Sequence, residues 1–312
     1  MADPIALAAL VFDAAVGWPD AVYRRVGHPV GGFARIIARC ERRWNRETAG
    51  ENRRRLAGIF TLLLVIGVAA SVAAIAAHAV RWVAGPYAWI GLAMLAAPGL
   101  AQRSLHDHVA PVAKALASGD LGAAREAVAR IVGRDVAVLD EPGVARAAIE
   151  SLAESFCDGV VAPLFWLLVL GLPGLWAYKA INTADSMIGH KEPRWRAFGW
   201  AAARVDDIAN YLPARLAGLL ICIAGPGGLR TMWRDGGKHA SPNAGRPEAA
   251  MAGVLGVRLA GPVAYDGEIL SKPWIGRGRS DANAGNIWRA LAVYRRACLL
   301  LWVIAGAVAW AR

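Results

Sequence analysis

RIIARCERRWNRETAGENRRR at positions 35–55 runs without a break into LAGIFTLLLVIGVAASVAAIAAHAV at 56–80. The first stretch carries eight arginines and three glutamates, and the 25 residues that follow carry no Asp, Glu, Lys or Arg. A bilayer core about 30 Å thick is crossed by about 20 helical residues, so 56–80 is long enough to span. A basic block flush against such a run is the positive-inside signature and places 35–55 on the cytoplasmic side.

The composition agrees. Hydrophobic residues make up 56% of the 312-residue chain, charged residues 19%, and the mean hydropathy is +0.37. An ordinary soluble domain is about 45–50% apolar with glycine counted and about 25% charged. A disordered chain, a collagen-like repeat and a soluble enzyme with a solvated surface are excluded. The 35 basic and 24 acidic side chains leave a net charge of +11. No nucleic-acid motif accompanies that charge, so its partner is read as the membrane surface, and no nucleic acid is expected. Cys40, Cys157, Cys222 and Cys298 have neither metal nor redox spacing and read as small apolar residues.

Four more apolar runs follow. Residues 82–102, trimmed by Gly85-Pro86 and Pro98-Gly99, read as the second arm of a tight transmembrane hairpin. The runs 159–178, broken at Gly171-Leu172-Pro173-Gly174, 208–229, carrying Asn210 and Arg215, and the short 297–311 come after it. Ile5–Gly17 is too short to span. The expected fold class is all-α: a polytopic integral membrane protein with four or five hydrophobic segments and a large cytoplasmic face, carried as one domain over 1–312. The hairpin returns Arg103, Lys114, Arg125, Arg130, Arg134 and Arg146 to the cytoplasm. A full crossing by 159–178 would export Lys179, Lys191, Arg194, Arg196 and Arg204, against the charge bias. The Gly-Leu-Pro-Gly break permits a re-entrant course instead, with 103–207 and 230–291 all cytoplasmic.

Four clusters offer chemistry. Asp140 caps an expected helix over 143–158, on which Glu150, Glu154 and Asp158 stack at i, i+4 and i+8. Like charges at that spacing repel, so a cation is expected beside them: Mg²⁺, an arginine or a substrate amine. Asn182-Thr183-Ala184-Asp185 is dense in oxygen ligands, and Mg²⁺ favours one or two carboxylates with phosphate oxygens. Arg204, Asp207, Tyr211 and Arg215 share one face of a helix, with Asp206 beside it and a kink expected at Pro213. Ionisable groups entering an apolar segment are expensive and read as functional. Finally, Ser241-Pro242-Asn243-Ala244-Gly245 precedes a helix expected to run from Pro247 through Leu259, whose N-terminus suits an anion such as phosphate. His239 and Glu248 flank it. His106-Asp107-His108 is too crowded for one ligand sphere, and no Walker A loop, dinucleotide fingerprint or HExxH is present.

These strings resemble one family, the membrane enzymes of cobalamin biosynthesis known as adenosylcobinamide-phosphate synthase or cobalamin biosynthesis protein CobD/CbiB. The resemblance rests on His28-Pro29-Val30; Glu150-Ser151-Leu152-Ala153-Glu154 through Asp158-Gly159-Val160-Val161-Ala162-Pro163; Asn182-Thr183-Ala184-Asp185-Ser186-Met187; Arg204-Val205-Asp206-Asp207 through Asn210-Tyr211-Leu212-Pro213-Ala214-Arg215; and Ser241-Pro242-Asn243-Ala244-Gly245 through Pro247-Glu248. Ser155, Ala184 and Trp18-Pro19 depart from the family pattern, and none is a charged position.

The resemblance implies a reaction: ATP-dependent amide formation between the ring-D propionate of adenosylcobyric acid and aminopropanol or its phosphate. It also implies a multi-pass protein of the bacterial inner membrane with a cytoplasmic active face, working beside other late enzymes of the pathway. On that reading Glu154, Asp158 and Asp185 hold Mg²⁺ and phosphate, and Asp206 or Asp207 is a second ligand or the amine's base, with Glu154 also catalytic. Arg204 and Arg215 clamp phosphates; Asn182, Ser241, Asn243, His239 and Glu248 bind substrate. Two rivals remain. An Mg²⁺-dependent intramembrane prenyltransferase would use the same Asn/Asp motifs but needs a larger helix bundle. An anion transporter or sensor would bind without covalent change.

Overall fold

The computed structural model describes residues 4–133, 135–265, 268–270 and 272–311. Arg134 and Arg312, two of the charges flanking the apolar runs, lie outside the described residues. Helix dominates, as the composition predicts: α1 (Ile5–Val16), α2 (Asp20–Val26), α3 (Pro29–Trp44), α4 (Glu51–Ala84), α5 (Ala88–Ala96), α6 (Gln102–Ala117), α7 (Leu121–Ala129) and α8 (Glu141–Phe156). After these come α9 (Ala162–Ile188), α10 (Pro193–Arg196), α11 (Trp200–Ala209), α12 (Tyr211–Ala224), α13 (Leu229–Asp235), α14 (Gly245–Leu255) and α15 (Ala284–Ala311). Short strands β1 (Leu259–Ala260), β2 (Val263–Tyr265), β3 (Glu268–Leu270) and β4 (Trp274–Ile275) pair antiparallel as β1–β4 and β2–β3.

Among the described residues, three helical stretches are long and apolar enough to cross a membrane: Glu51–Ala117, Glu141–Ile188 and Ala284–Ala311. The bent pair α11 and α12 makes four if it counts as one broken span. The second run folds back on α4 as the hairpin reading expects: α5 packs on α4, and a Cβ at Gly91 would meet the Val80 side chain. Its helix is continuous from Gly85 to Gly99, with α5 between 3₁₀ turns at Gly85–Tyr87 and Ala97–Gly99. At 1.5 Å per residue α5 covers about 14 Å, and the two 3₁₀ turns, at about 2 Å per residue, add about 12 Å. The Gly-Pro pairs that trim the run in sequence are what stop the helix. The Gly171 break is present: Gly171 sits at φ 68° and ψ −160° inside α9, a backbone state that Gly adopts without penalty.

The chain divides into two compact units where the sequence reading carried one domain. The first comprises residues 1–101, 162–210 and 305–312; the second comprises 102–161 and 211–304. In the first unit α4 packs along α9, α3 leans on both, α11 closes against both, and α1 packs on α5. Two glycines allow this closeness. A Cβ at Gly58 of α4 would strike the Phe198 carbonyl oxygen, and one at Gly199 would strike that of Ile188. The 189–199 loop is further pinned by polar contacts. Buried Glu41 accepts from Arg194 at 2.8 Å, and Asn45 donates to the Arg194 carbonyl at 3.1 Å while accepting from Arg54 at 2.7 Å.

In the second unit α14 is the hub, packed on α8, α12 and α13. Asp140 caps α8 as expected, accepting from Gly143 N at 2.8 Å. The α14 helix ends at Leu255, four residues before the expected Leu259, because Gly256 turns left-handed at φ 69°.

Candidate functional site

In the first unit the tail of α9 faces α11. Tyr178, Asn182 and Asp185 fall at i, i+4 and i+7 on α9, and Asp206 and Asn210 at i and i+4 across the end of α11. Helical spacing of polar residues in the tail of an apolar run puts them on one face. Tyr178, 1% exposed, donates its hydroxyl to Asn210 Oδ1 at 2.9 Å. Asn210, 2% exposed, donates from Nδ2 to Asp206 Oδ2 at 2.9 Å. Tyr178 thus fixes the amide orientation of Asn210, and Asn210 fixes the carboxylate. Trp166 braces the turn by donating to the Ala209 carbonyl at 3.2 Å. The other carboxylate oxygen, Asp206 Oδ1, is buried and makes no hydrogen bond. Asn182 offers its side-chain amide to the same carboxylate as a hydrogen-bond donor, and Asp185 and Asp207 are its acidic neighbours. Asp207 in turn faces Arg204 and Lys191. The structure therefore brings Asn182, Asp185, Asp206, Asp207 and Arg204 into one neighbourhood. The sequence reading missed Tyr178, although its spacing to Asn182 and Asp185 was there to read.

A buried carboxylate oxygen without a donor fits a cation, because leaving it bare costs free energy. Among the described residues no three His, Cys, Asp or Glu side chains converge as a metal cage. Mg²⁺ does not demand one: it keeps waters and takes one or two carboxylates with phosphate oxygens. The donor set of Asp185, Asp206 and Asn182 suits such a half-open site.

Of the four residues expected on one helical face, Arg204 and Asp207 lie on α11 in the first unit, and Tyr211 and Arg215 on α12 in the second. The kink expected near Pro213 is present: the helix bends by 47° between α11 and α12, and Pro213 sits in the first turn of α12, where its missing N–H costs nothing. Of the acidic series, Glu150 and Glu154 lie on α8, and Asp158 lies in the π-helical turn Cys157–Val161 that follows it. Glu150 is 7% exposed and accepts from Ala260 N at 2.8 Å. Ala260 is the one described non-glycine residue with positive φ, at 58°, so Glu150 holds a strained turn in place. Glu154 is exposed and Asp158 half-buried, both in the second unit.

The remaining candidate residues gather in that second unit around the start of α14. Arg215 lies 3.5 Å above the Tyr211 ring and donates to Asn243 Oδ1 at 3.3 Å. Ser241 Oγ accepts from the amides of Asn243 and Ala244 at 3.2 and 3.3 Å. Those two amides, which the sequence reading offered to an anion, are thereby occupied, and the loop is a self-capped turn. His239 Nδ1 accepts from Ser241 N at 3.0 Å, which leaves Nε2 as the protonated nitrogen of the neutral ring, 3.7 Å from Glu248 Oε1. Burial, aided by Lys272, pushes the His239 pKa below its ordinary value. Glu248 is 3% exposed.

Upstream of this loop lies a residue that sequence spacing did not single out as structural. Asp235 is fully buried and accepts from Arg234 Nε and Nη2 at 2.9 and 2.6 Å and from Gly276 N at 3.0 Å, with Lys238 at 2.9 Å. The Arg234 guanidinium holds its carboxyl well below the usual carboxylate range. Asp235 fixes the start of the 236–245 loop against the strand end at Gly276.

Comparison with known proteins places the chain. The family model described as CobD/Cbib protein matches residues 6–294. A protein of Rhodobacter capsulatus named cobalamin biosynthesis protein CobD is 51% identical over 307 residues, 96% of this chain and 95% of that one. Proteins with the same name from a Sinorhizobium species and from Rhizobium meliloti (strain 1021) are 49% and 44% identical over 303 and 307 residues. They are covered over 94% of their lengths, and cover 94% and 95% of this chain. No solved structure matches it.

Proposed function

From the premise that the chain belongs to the CobD/Cbib family and serves cobalamin biosynthesis, we propose that it is the synthase joining an amino alcohol to a corrinoid carboxylate in the bacterial inner membrane, with its active face in the cytoplasm. The substrates are adenosylcobyric acid, through its ring-D propionate, and aminopropanol or its phosphate, with ATP consumed. The observation that carries this reading is the fixed, buried Asp206 carboxylate with one oxygen left over, in a chain matched to the family over residues 6–294.

A carboxylate is not electrophilic towards an amine, so it must be activated. A propionate oxygen takes the terminal phosphoryl group of ATP, giving an acyl phosphate and ADP. The amine nitrogen then attacks the carbonyl carbon, the C–N bond forms, the C–O bond to phosphate breaks, and inorganic phosphate leaves. The ammonium proton passes to a carboxylate base. Asp207, half-buried beside Arg204 and Lys191, would take it. Asn210 holds the Asp206 carboxylate rigid. Asp185, Asp206 and Asn182 would hold Mg²⁺, which when bound supplies positive charge to the transferring phosphoryl oxygens. Arg204 in the first unit, and Arg215 with Asn243 in the second, offer donors to phosphate and to corrin side-chain amides. His239 and Glu248 complete the polar lining of the second cluster.

The test uses purified protein in nanodiscs with adenosylcobyric acid, Mg-ATP and either amine, following corrin mass. The expected result is a gain equal to amide formation with one of the two amines. Asp206→Asn and Asp207→Asn should each lower turnover at least about a hundredfold, the scale of general acid–base and positioning contributions. No mass gain with either amine in folded wild-type protein refutes the activity, and near-normal turnover in both variants refutes the roles.

A further inference from the structure

The arginines that open the chain's first span have no work in the chemistry above. Arg35, Arg39, Arg42 and Arg43 fall at i, i+4, i+7 and i+8 on α3, a single stripe, and all four are exposed. Arg46 and Arg53, also exposed, follow in the loop and in the first turn of α4. The opposite face of α3, with Ile37 and Cys40 buried, packs on α4 and α9. Among the described residues no hydrogen bond or ion pair engages Arg39, Arg42, Arg43, Arg46 or Arg53, and Arg35 bonds only its own helix at the Gly31 carbonyl. The nearby acids are largely taken: Glu41 is buried against Arg194, and Glu51 pairs with Arg55, leaving Glu47 exposed.

The depth of this stripe follows from α4. Leu56, Phe60 and Leu63 are 67%, 55% and 63% exposed at the head of a run without charge, so they face lipid. Trp44, at the end of α3, meets Phe60 edge to face with ring centroids 5.3 Å apart. Tryptophan at that level marks the membrane–water interface. The arginine stripe therefore stands at headgroup height, its stems rooted in a helix fixed to the protein.

We propose that this face is a docking surface for anionic phospholipid, its arginines gripping phosphodiester headgroups of the leaflet it borders. Planar guanidinium groups match phosphate oxygens two at a time, and a preformed stripe gathers them without ordering a flexible tail.

The test reconstitutes the full chain in vesicles of equimolar phosphatidylglycerol and phosphatidylcholine and counts retained lipids by native mass spectrometry. Wild-type protein should retain phosphatidylglycerol over phosphatidylcholine by about tenfold. Exchanging Arg39, Arg42, Arg43 and Arg46 together for Gln should bring the ratio near parity, and exchanging them for Lys should keep most of it. The pairs Arg35→Gln with Arg39→Gln, and Arg42→Gln with Arg43→Gln, should each lower the ratio part of the way if the fourfold variant does not fold. Equal retention by wild type, or a wild-type ratio in the folded Gln variants, overturns the proposal. So does a wild-type ratio that survives about 1 M salt, where the Debye length falls to about 3 Å.

Discussion

Replacing Asp235 by Asn tests whether the second unit is held where the geometry says. The carboxylate accepts from two guanidinium nitrogens, one ammonium and one backbone amide, all within 2.6–3.0 Å. Asparagine keeps the shape and an acceptor for Gly276 N but removes the charge. Hydrogen bonds to charged groups contribute about 1.5–3 kcal/mol each. Arg234 and Lys238 are 29% and 42% exposed, so water recovers part of that when the carboxylate is neutralised. The net cost is about 3 kcal/mol, the lower end of what removing one member of a buried pair produces. Near the midpoint that corresponds to a fall in Tm of about 6–12 °C for a body of this size. The pH dependence carries a sign. A carboxyl held below its ordinary value of 3.8 contributes stability that is complete above that pH and lost as pH falls through the folded value. Thermal unfolding in detergent should therefore show the same gap between wild type and Asp235→Asn at pH 7 and pH 5, narrowing only below about pH 4. A gap under about 1 kcal/mol, or one that closes between pH 7 and 5, would refute the hub.

Two further outcomes follow from the same reasoning. Burial lowers the His239 pKa below 6.5, so the folded chain takes that proton less readily than the unfolded one; stability is full above that pH and is lost as pH falls below it. Wild type should lose more stability than His239→Gln between pH 7 and 5 in the same assay, and equal losses would mean that another group titrates. Tyr178→Phe removes one neutral hydrogen bond and should cost about 1 kcal/mol, whereas Asn210→Ala removes that bond and the one to the carboxylate and should cost about 3 kcal/mol. Near-equal costs in denaturant titrations would show that Asn210 does not join the two.

Much of the fold is legible because the bilayer imposes a simple code. An uncharged run of 25 residues after a basic block can do little but span, and α4 does extend through it, from Glu51 to Ala84. The second run is legible as the arm that returns along α4, but hydropathy is blind to its backbone. Gly85-Pro86 and Pro98-Gly99 tighten both its ends into 3₁₀ turns around the nine α-helical residues of α5. The division into two units was also hidden, since it assigns α8 and α12 to one body and α9 and α11 to the other, with no linker composition at either junction.

The site was legible by residue type and less so by register. Asn182, Asp185, Asp206 and Asp207 do share a neighbourhood, because two helices with polar residues at helical spacing must bury them against each other or leave them in lipid. The acidic series ends on a feature that no counting of i and i+4 can catch. A π turn inserts into α8's continuation at Cys157, and from that point every downstream side chain is rotated relative to an α-helical projection. Such turns persist only where packing or function compensates for their poorer hydrogen bonding. That the turn takes in Asp158, the third carboxylate of the series, argues that the π geometry is held there by the packing of buried Val160 and Val161. Deleting a single residue from 157–161 tests that argument. It would restore α-helical phase and should destabilise the second unit by mispacking buried Val160 and Val161, and unchanged stability in thermal unfolding would refute it.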